Sequence, residues 1–325
     1  MRTKGVSIRG ALIRDTMKNM MESAMGHPFQ TGEYRKHPVE PAWVCPGGYD
    51  YEIIFMPQFT MEYLRPAEIS TERVILQLHG GGYIGPMKNT YRDFAVRYSK
   101  LSLGSDVLTI DYRVAPEFPY PAALEDAISA YRWLTEEKNY DPNKIIIAGD
   151  SAGGGLALAL ALYLRDHGMP APAGLITMSP WTDLTCSGES YTTNYTKDPQ
   201  FGNTKDNMLY NCPYIGDADP KDPYLSPMFG SYENIGPILM QAGSYEVMLD
   251  DTLRVADKMR EKRGKIRVTV YEGMFHLFQM AMNLIPESRE AWEEVAAFMQ
   301  IVYGIDRRPD GKVVKRVKTE RRNRR

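Results

Sequence analysis

Residues 144–164, KIIIAGDSAGGGLALALALYL, constrain the fold of this chain more than any other stretch. A β-branched apolar run leads into Gly149, Asp150, Ser151, Ala152 and Gly153, and an alanine and leucine run suited to a buried helix follows. A strand must therefore turn sharply into a helix. Ser151 lies in that turn, where the two backbones pass so close that only small residues at Gly149 and Gly153 leave room. Its hydroxyl is pushed out of the fold. The helix starting at Ala152 points its free N–H groups at the same spot, so negative charge developing there would be stabilised. This is the pattern of a nucleophile elbow. A GxSxG string alone arises by chance in a chain this long with a probability on the order of 0.1. The flanking strand and helix give it weight; the competing reading is a glycine-rich turn whose serine caps the helix.

At 325 residues, the chain can form one large α/β domain or two smaller ones with a sizeable core. It is 43% hydrophobic and 25% charged, and its net charge of -2 predicts no general affinity for nucleic acid or membrane. The average hides an asymmetry. From Ile305 onward there are ten Lys or Arg against three Asp or Glu, a net of +7, which leaves -9 on the rest. That tail reads as a solvated, frayed terminus or as a contact for acidic surfaces. Cys45, Cys186 and Cys212 are an odd number in a large chain and argue against a disulfide framework. The first thirty residues are polar and charged, and no run of eighteen apolar residues occurs, so a cytoplasmic setting without stable membrane insertion is expected.

Residues 1–39 are rich in Met and charge and place Leu12, Ile13, Met17, Met20, Met21 and Met25 at helical spacing, which predicts one or two amphipathic helices. A Met-rich face can serve as an adaptable cover over a site, or simply pack. Residues 49–63 read as strands at a sheet edge, because Pro57 would disrupt a central strand. Residues 73–78 form a short apolar strand that runs into His79, Gly80, Gly81 and Gly82. Three successive glycines are costly in chain entropy and point to a close backbone approach, the alternative being a flexible loop. Strands at 106–112 and 174–179, with a helix at 122–138, complete an alternation that predicts a mostly parallel sheet.

Residues 182–231 break that rhythm with Asn, Asp, Pro, Gly and Tyr, and predict an inserted cap with short helices, for instance over 203–212. Alternation returns with a strand at 237–242, a helix at about 250–263, a strand at 265–271 and a closing helix at 290–303. Gly273, Met274, Phe275 and His276 follow the last strand. The expected organisation is a core of 46–185 and 232–304, a cap from 1–45 and 186–231, and a flexible tail at 305–325. In open parallel sheets ligands bind at the carboxyl ends of strands, where the triple glycine, Ser151 and His276 would all lie.

Several motifs stand in a fixed order: HGGGY at 79–83, DYRVAPEFPYPAALEDA at 111–127, GDSAGG at 149–154 and SPWTDL at 179–184. Over residues 73–303 the chain resembles the bacterial hormone-sensitive-lipase family (family IV) of esterases, and the order nucleophile, acid, histidine is that of the α/β-hydrolase fold. The resemblance implies Ser151 as nucleophile and His276 as general base. It implies an oxyanion hole of the Gly81, Gly82 and Ala152 N–H groups, with His79 orienting the glycines. The acid departs from the family pattern. Where relatives carry Asp at the head of a DPLRDE-like motif, this chain reads AGSYEVMLDDTLR. That places Glu246 at the acid position, thirty residues before His276, and leaves Asp250 as the alternative, since Asp250 and Asp251 also suit a helix start. His27, His37 and His167 follow no core strand. Arg113, Glu117 and Asp126 read as ion pairs supporting the site.

The expected activity is a serine carboxylesterase acting on short- to medium-chain acyl esters through an acyl-enzyme. An amidase or deacetylase would use the same groups, and a non-catalytic receptor is a third reading. No metal-ligand spacing and no phosphate-binding glycine fingerprint occur, so no cofactor is expected. The expected partner is a small-molecule ester, and the resemblance also implies a homodimer through the last strand and closing helix.

Overall fold

The computed structural model describes residues 5–24, 40–307 and 313–314. Eight strands form one open sheet: β1 (Tyr49–Phe55), β2 (Thr60–Pro66), β3 (Val74–Leu78), β4 (Asp106–Asp111), β5 (Ile145–Asp150), β6 (Gly174–Met178), β7 (Ile238–Gly243) and β8 (Ile266–Tyr271). Their spatial order is β1-β2-β4-β3-β5-β6-β7-β8. β1 and β2 pair as an antiparallel hairpin, β2 meets β4 antiparallel, and every later pairing is parallel. Strands β3 and β5 are buried on both faces, which is why Val74, Ile75 and Leu76 and Ile145, Ile146 and Ile147 follow one another without polar alternation.

Register brings the strand ends to one edge. Leu78 stands opposite Gly149, Asp150 opposite Met178, and Gly243 opposite Tyr271. The residues that follow, His79, Ser151, Ser179 and Ser244, therefore leave the sheet side by side.

Helices cover both faces. On one side α2 (Asn89–Leu101) and α7 (Pro286–Val302) pack on Ile75, Ile146 and Ala148, with Phe94 edge-on to Trp292 at 4.9 Å. On the other lie α3 (Ala122–Arg132), which ends in a π-helical turn at Trp133–Glu137, and α4 (Ala152–Asp166), against Ile145 and Ile147. Farther along that side α6 (Leu249–Glu261) buries Val255 and Met259 against Ile238 and Met240. The N-terminal α1 (Ile8–Ala24) rests Ile13 and Met17 against Met274 and Phe275.

The structure differs from the sequence reading in three places. Helix α2 falls in a segment to which that reading assigned nothing. Pro57 sits in the hairpin turn, so β2 is an inner strand between β1 and β4, and of the two hairpin strands β1 alone is an edge. Residues 203–212 are turns held by side chains, such as Leu209 N–H to Asn207 Oδ1 at 3.0 Å, and the one α-helical turn of the insertion is α5 (Ser190–Thr193). The region around Met25, His27 and His37 and most of the basic tail lie outside the described residues; Asp306–Arg307 pairs antiparallel with Val313–Val314.

Candidate active site

Ser151 occupies the N-cap position of α4, without a side-chain capping bond, at φ 51 and ψ -121, a conformation that L-residues rarely adopt and that surrounding packing must impose. The packing is tight. A methyl group on Gly149 would lie 2.1 Å from the Gly153 carbonyl oxygen, and one on Gly153 would lie 2.1 Å from that of Leu78. Ser151 is 7% exposed and stands at one wall of a cavity of about 260 Å³ that also touches Gly81, Gly82, Phe201, Met208 and His276.

His276 lies on the loop after β8, 1% exposed. Its Nε2 is 3.0 Å from Ser151 Oγ and its Nδ1 is 3.1 Å from Glu246 Oε2. Glu246 is fully buried, and its other oxygen accepts from Ser179 Oγ at 2.7 Å and from the Gly243 N–H. Asp250, the alternative acid, faces away: its Oδ2 accepts the Ser190 N–H at 2.8 Å while its own N–H donates to Ser190 Oγ at 3.0 Å. Asp251 accepts the N–H groups of Thr182 and Asp183 at 2.7 and 2.8 Å. Helix-start carboxylates thus fasten the insertion, and Glu246 is the one that reaches the imidazole.

The glycine loop is held from both sides. Gly81 and Gly82 have φ of 122 and 64, and the Gly81 carbonyl accepts the N–H of Gly85 at 2.9 Å. His79 stacks on Tyr112 at 4.2 Å, while its own carbonyl accepts the Tyr112 hydroxyl at 2.7 Å. Tyr83 stacks on Tyr214 of the insertion at 4.0 Å. Ala152 is the first residue of α4, so its N–H has no acceptor within the helix.

Asp150, beside the serine, is buried under this loop and accepts from Tyr91 Oη at 3.0 Å. Burial pushes its carboxyl up to about 6, against the opposing pull of the Tyr91 bond and of His79 and His276.

Arg113 pairs with Asp126 at 2.8 Å and Glu125 at 3.0 Å rather than with Glu117. His167 ends α4 and stacks on Tyr163 at 3.8 Å, away from the cavity. Cys45, Cys186 and Cys212 are free, and among the described residues no His, Cys, Asp or Glu group is arranged to hold a metal ion. No helix among them is long and apolar enough to cross a membrane.

An open, mostly parallel sheet with a strand–serine–helix turn at its centre and a histidine after its last strand has the α/β-hydrolase architecture. A family described as alpha/beta hydrolase fold matches residues 75–280. An acetyl-hydrolase of Streptomyces hygroscopicus is 35% identical over 253 residues, which cover 78% of this chain and 83% of the relative. A crystal structure of EstE5 soaked with p-nitrophenyl butyrate superposes with TM-score 0.82 at 32% identity, over 92% of this chain and 99% of the other. That of an esterase from the bacterial hormone-sensitive lipase family gives 0.79 at 29% identity, over 93% and 100%. The chain belongs to the bacterial hormone-sensitive-lipase family of α/β hydrolases and is a carboxylic ester hydrolase, which sets aside the receptor reading.

Sequence reasoning missed three contributors. Ser179 stands in the quoted SPWTDL motif, but its bond to Glu246 depends on the β6–β7 register. Phe201 and Met208 come from the irregular insertion, whose sequence carries no periodic signal that would aim them at the cavity.

Proposed function

We propose that the protein hydrolyses short- to medium-chain acyl esters through a serine acyl-enzyme. The observation that carries this reading is the chain of contacts Ser151 Oγ, His276 Nε2, His276 Nδ1 and Glu246 Oε2, at 3.0 and 3.1 Å. Ser151 attacks the ester carbonyl while His276 takes its proton at Nε2. Glu246 holds the imidazole in the tautomer that presents a bare Nε2 and stabilises the imidazolium. The N–H groups of Gly81, Gly82 and Ala152 donate to the oxyanion, each worth about 3 kcal/mol of barrier. Collapse breaks the bond to the alkoxide, which leaves with the imidazolium proton. A water deprotonated by His276 then releases the acid and restores Ser151.

The cavity supports the acyl length in this reading: its volume of about 260 Å³ and lining of Phe201, Met208, Leu209 and Met280 suit a short apolar acyl group. The cap assignment of 1–45 and 186–231 over a core of 46–185 and 232–304 is part of the same proposal, supported by the insertion residues in that lining. A homodimer and a cytoplasmic setting belong to it as well. The first is supported by β8, which among the described strands pairs only with β7 and so ends the sheet; sedimentation at roughly twice the 36.9 kDa chain mass would confirm it.

Esters of p-nitrophenol graded by acyl length test the reading. Turnover is expected to peak at acetate to hexanoate and to vanish in Ser151→Ala; unchanged turnover in that variant would exclude it. The acetyl-hydrolase relative favours one refinement, an acetylated natural substrate. Comparing acetanilide with phenyl acetate separates amide from ester preference.

A further inference from the structure

The insertion grips the loop that carries Glu246. Asn194 Nδ2 donates to the carbonyls of Ser244 and Glu246 at 3.0 and 2.8 Å, and Ser190 Oγ donates to the Val247 carbonyl at 2.6 Å. Asp198 does more. Its Oδ2 accepts the Val247 N–H at 2.8 Å, and its Oδ1 accepts those of Gln200 at 2.8 Å and Phe201 at 3.0 Å. The Phe201 ring stands edge-on against the His276 imidazole, centroids 5.1 Å apart and planes at 70°. One side chain thus joins the residue after the acid to the residue that flanks the base.

Asp198 is 1% exposed. Burying a carboxylate costs several kcal/mol unless it is paired, and here only neutral N–H donors satisfy it. Asparagine could not replace it without loss: an amide has one acceptor oxygen, and its NH2 would face an N–H on one side or the other. The ionisable groups that act on His276 are Glu246 by hydrogen bond, Asp150 from the end of β5 and Asp198 from the insertion, while Lys88 lines the same cavity. Burial raises the Asp198 carboxyl above its ordinary range, against the opposing pull of the Val247, Phe201 and Gln200 N–H groups and, less, of His276.

We propose that Asp198 is a positioning residue for the reaction. It fixes Phe201 and the Glu246 loop so that the imidazole is held between Ser151 and Glu246, and its negative charge supports the imidazolium that forms on serine attack. The inference rests on the serine mechanism proposed above. It assigns the insertion a part in catalysis besides walling the cavity.

The test compares the full-length wild type with Asp198→Asn, Phe201→Leu and Ser151→Ala on p-nitrophenyl butyrate between pH 5 and 9. In folded Asp198→Asn, kcat is expected to fall about tenfold with KM within about twofold. Removing a negative charge near the base destabilises the imidazolium, so the acidic limb of kcat/KM should move to lower pH by about half a unit. An acidic limb that does not move, or a loss confined to KM, overturns the proposal. If Asp198→Asn does not fold, Phe201→Leu decides: kcat falling about threefold or more, and by more than KM rises, supports the proposal, and an unchanged kcat overturns it. Activity surviving in Ser151→Ala would defeat the serine mechanism itself, whereas an inactive Ser151→Ala beside an unaltered Asp198→Asn defeats this inference alone.

Discussion

The Ser179 hydroxyl donates to Glu246 Oε1 at 2.7 Å and accepts the Leu277 N–H at 3.2 Å, so it ties the carboxylate to the backbone that carries His276. Ser179→Ala leaves a buried N–H without a partner and one Glu246 oxygen with the Gly243 N–H alone. Stability should fall by about 1–3 kcal/mol. If the bond also orients the acid, kcat should drop about tenfold while KM stays within about twofold. Steady-state kinetics on folded protein separates the two effects, and an unchanged kcat would leave Ser179 with a structural role only.

Glu246 and Asp250 should behave oppositely. Glu246→Gln keeps the shape but removes the charge opposite His276 Nδ1, and kcat is expected to fall about a thousandfold. Asp250→Asn retains an acceptor for the Ser190 N–H, so activity should stay within about threefold and stability within about 1 kcal/mol. Parallel assays of the two variants reveal the acid; a collapse in Asp250→Asn with a mild effect in Glu246→Gln would reverse the assignment.

Burial lifts the Asp150 carboxyl to about 6, above its value in an unfolded chain. Between these two values the folded protein holds a proton that the unfolded chain releases, so this group lowers stability as pH rises through the window and has no further effect above it. Asp150→Asn removes that dependence. Relative to wild type, the variant should gain about 2 kcal/mol between pH 4.5 and 7.5 by urea unfolding. A difference that stays constant with pH would show that Asp150 titrates normally.

Gly153 and Gly168 provide a steric contrast. A methyl group on Gly153 meets the carbonyl oxygens of Leu78 at 2.1 Å and His79 at 2.5 Å, both backbone atoms, whereas one on Gly168 meets nothing within 4 Å and only a φ of 63 opposes it. Gly153→Ala should cost about 3 kcal/mol or more and Gly168→Ala about 1 kcal/mol, measured by denaturant unfolding. Equal losses would contradict the close approach of the elbow to β3.

The parallel core was legible because its strands are buried on both faces: Ile145, Ile146 and Ile147 leave little choice but a central strand. Helix α2 is equally readable, since Tyr91, Phe94, Ala95 and Tyr98 recur at helical spacing. The acid was ambiguous for a physical reason. Glu246 and Asp250 are four residues apart at a helix start, and what separates them is Ser190, a residue of the insertion that engages Asp250. Asp198 and Phe201 were invisible because irregular segments are shaped by side-chain-to-backbone bonds, which leave no period in the sequence.

In the proposed reaction the Ser151 oxygen, deprotonated by His276, forms the covalent intermediate. Whole-protein and peptide mass spectrometry after treatment with diisopropyl fluorophosphate tests it most directly. One phosphoryl adduct is expected, located on Ser151, appearing in step with loss of esterase activity and absent from Ser151→Ala and, at matched times, from His276→Ala. Full inactivation with the adduct on another residue, or esterase turnover persisting in Ser151→Ala, would contradict it.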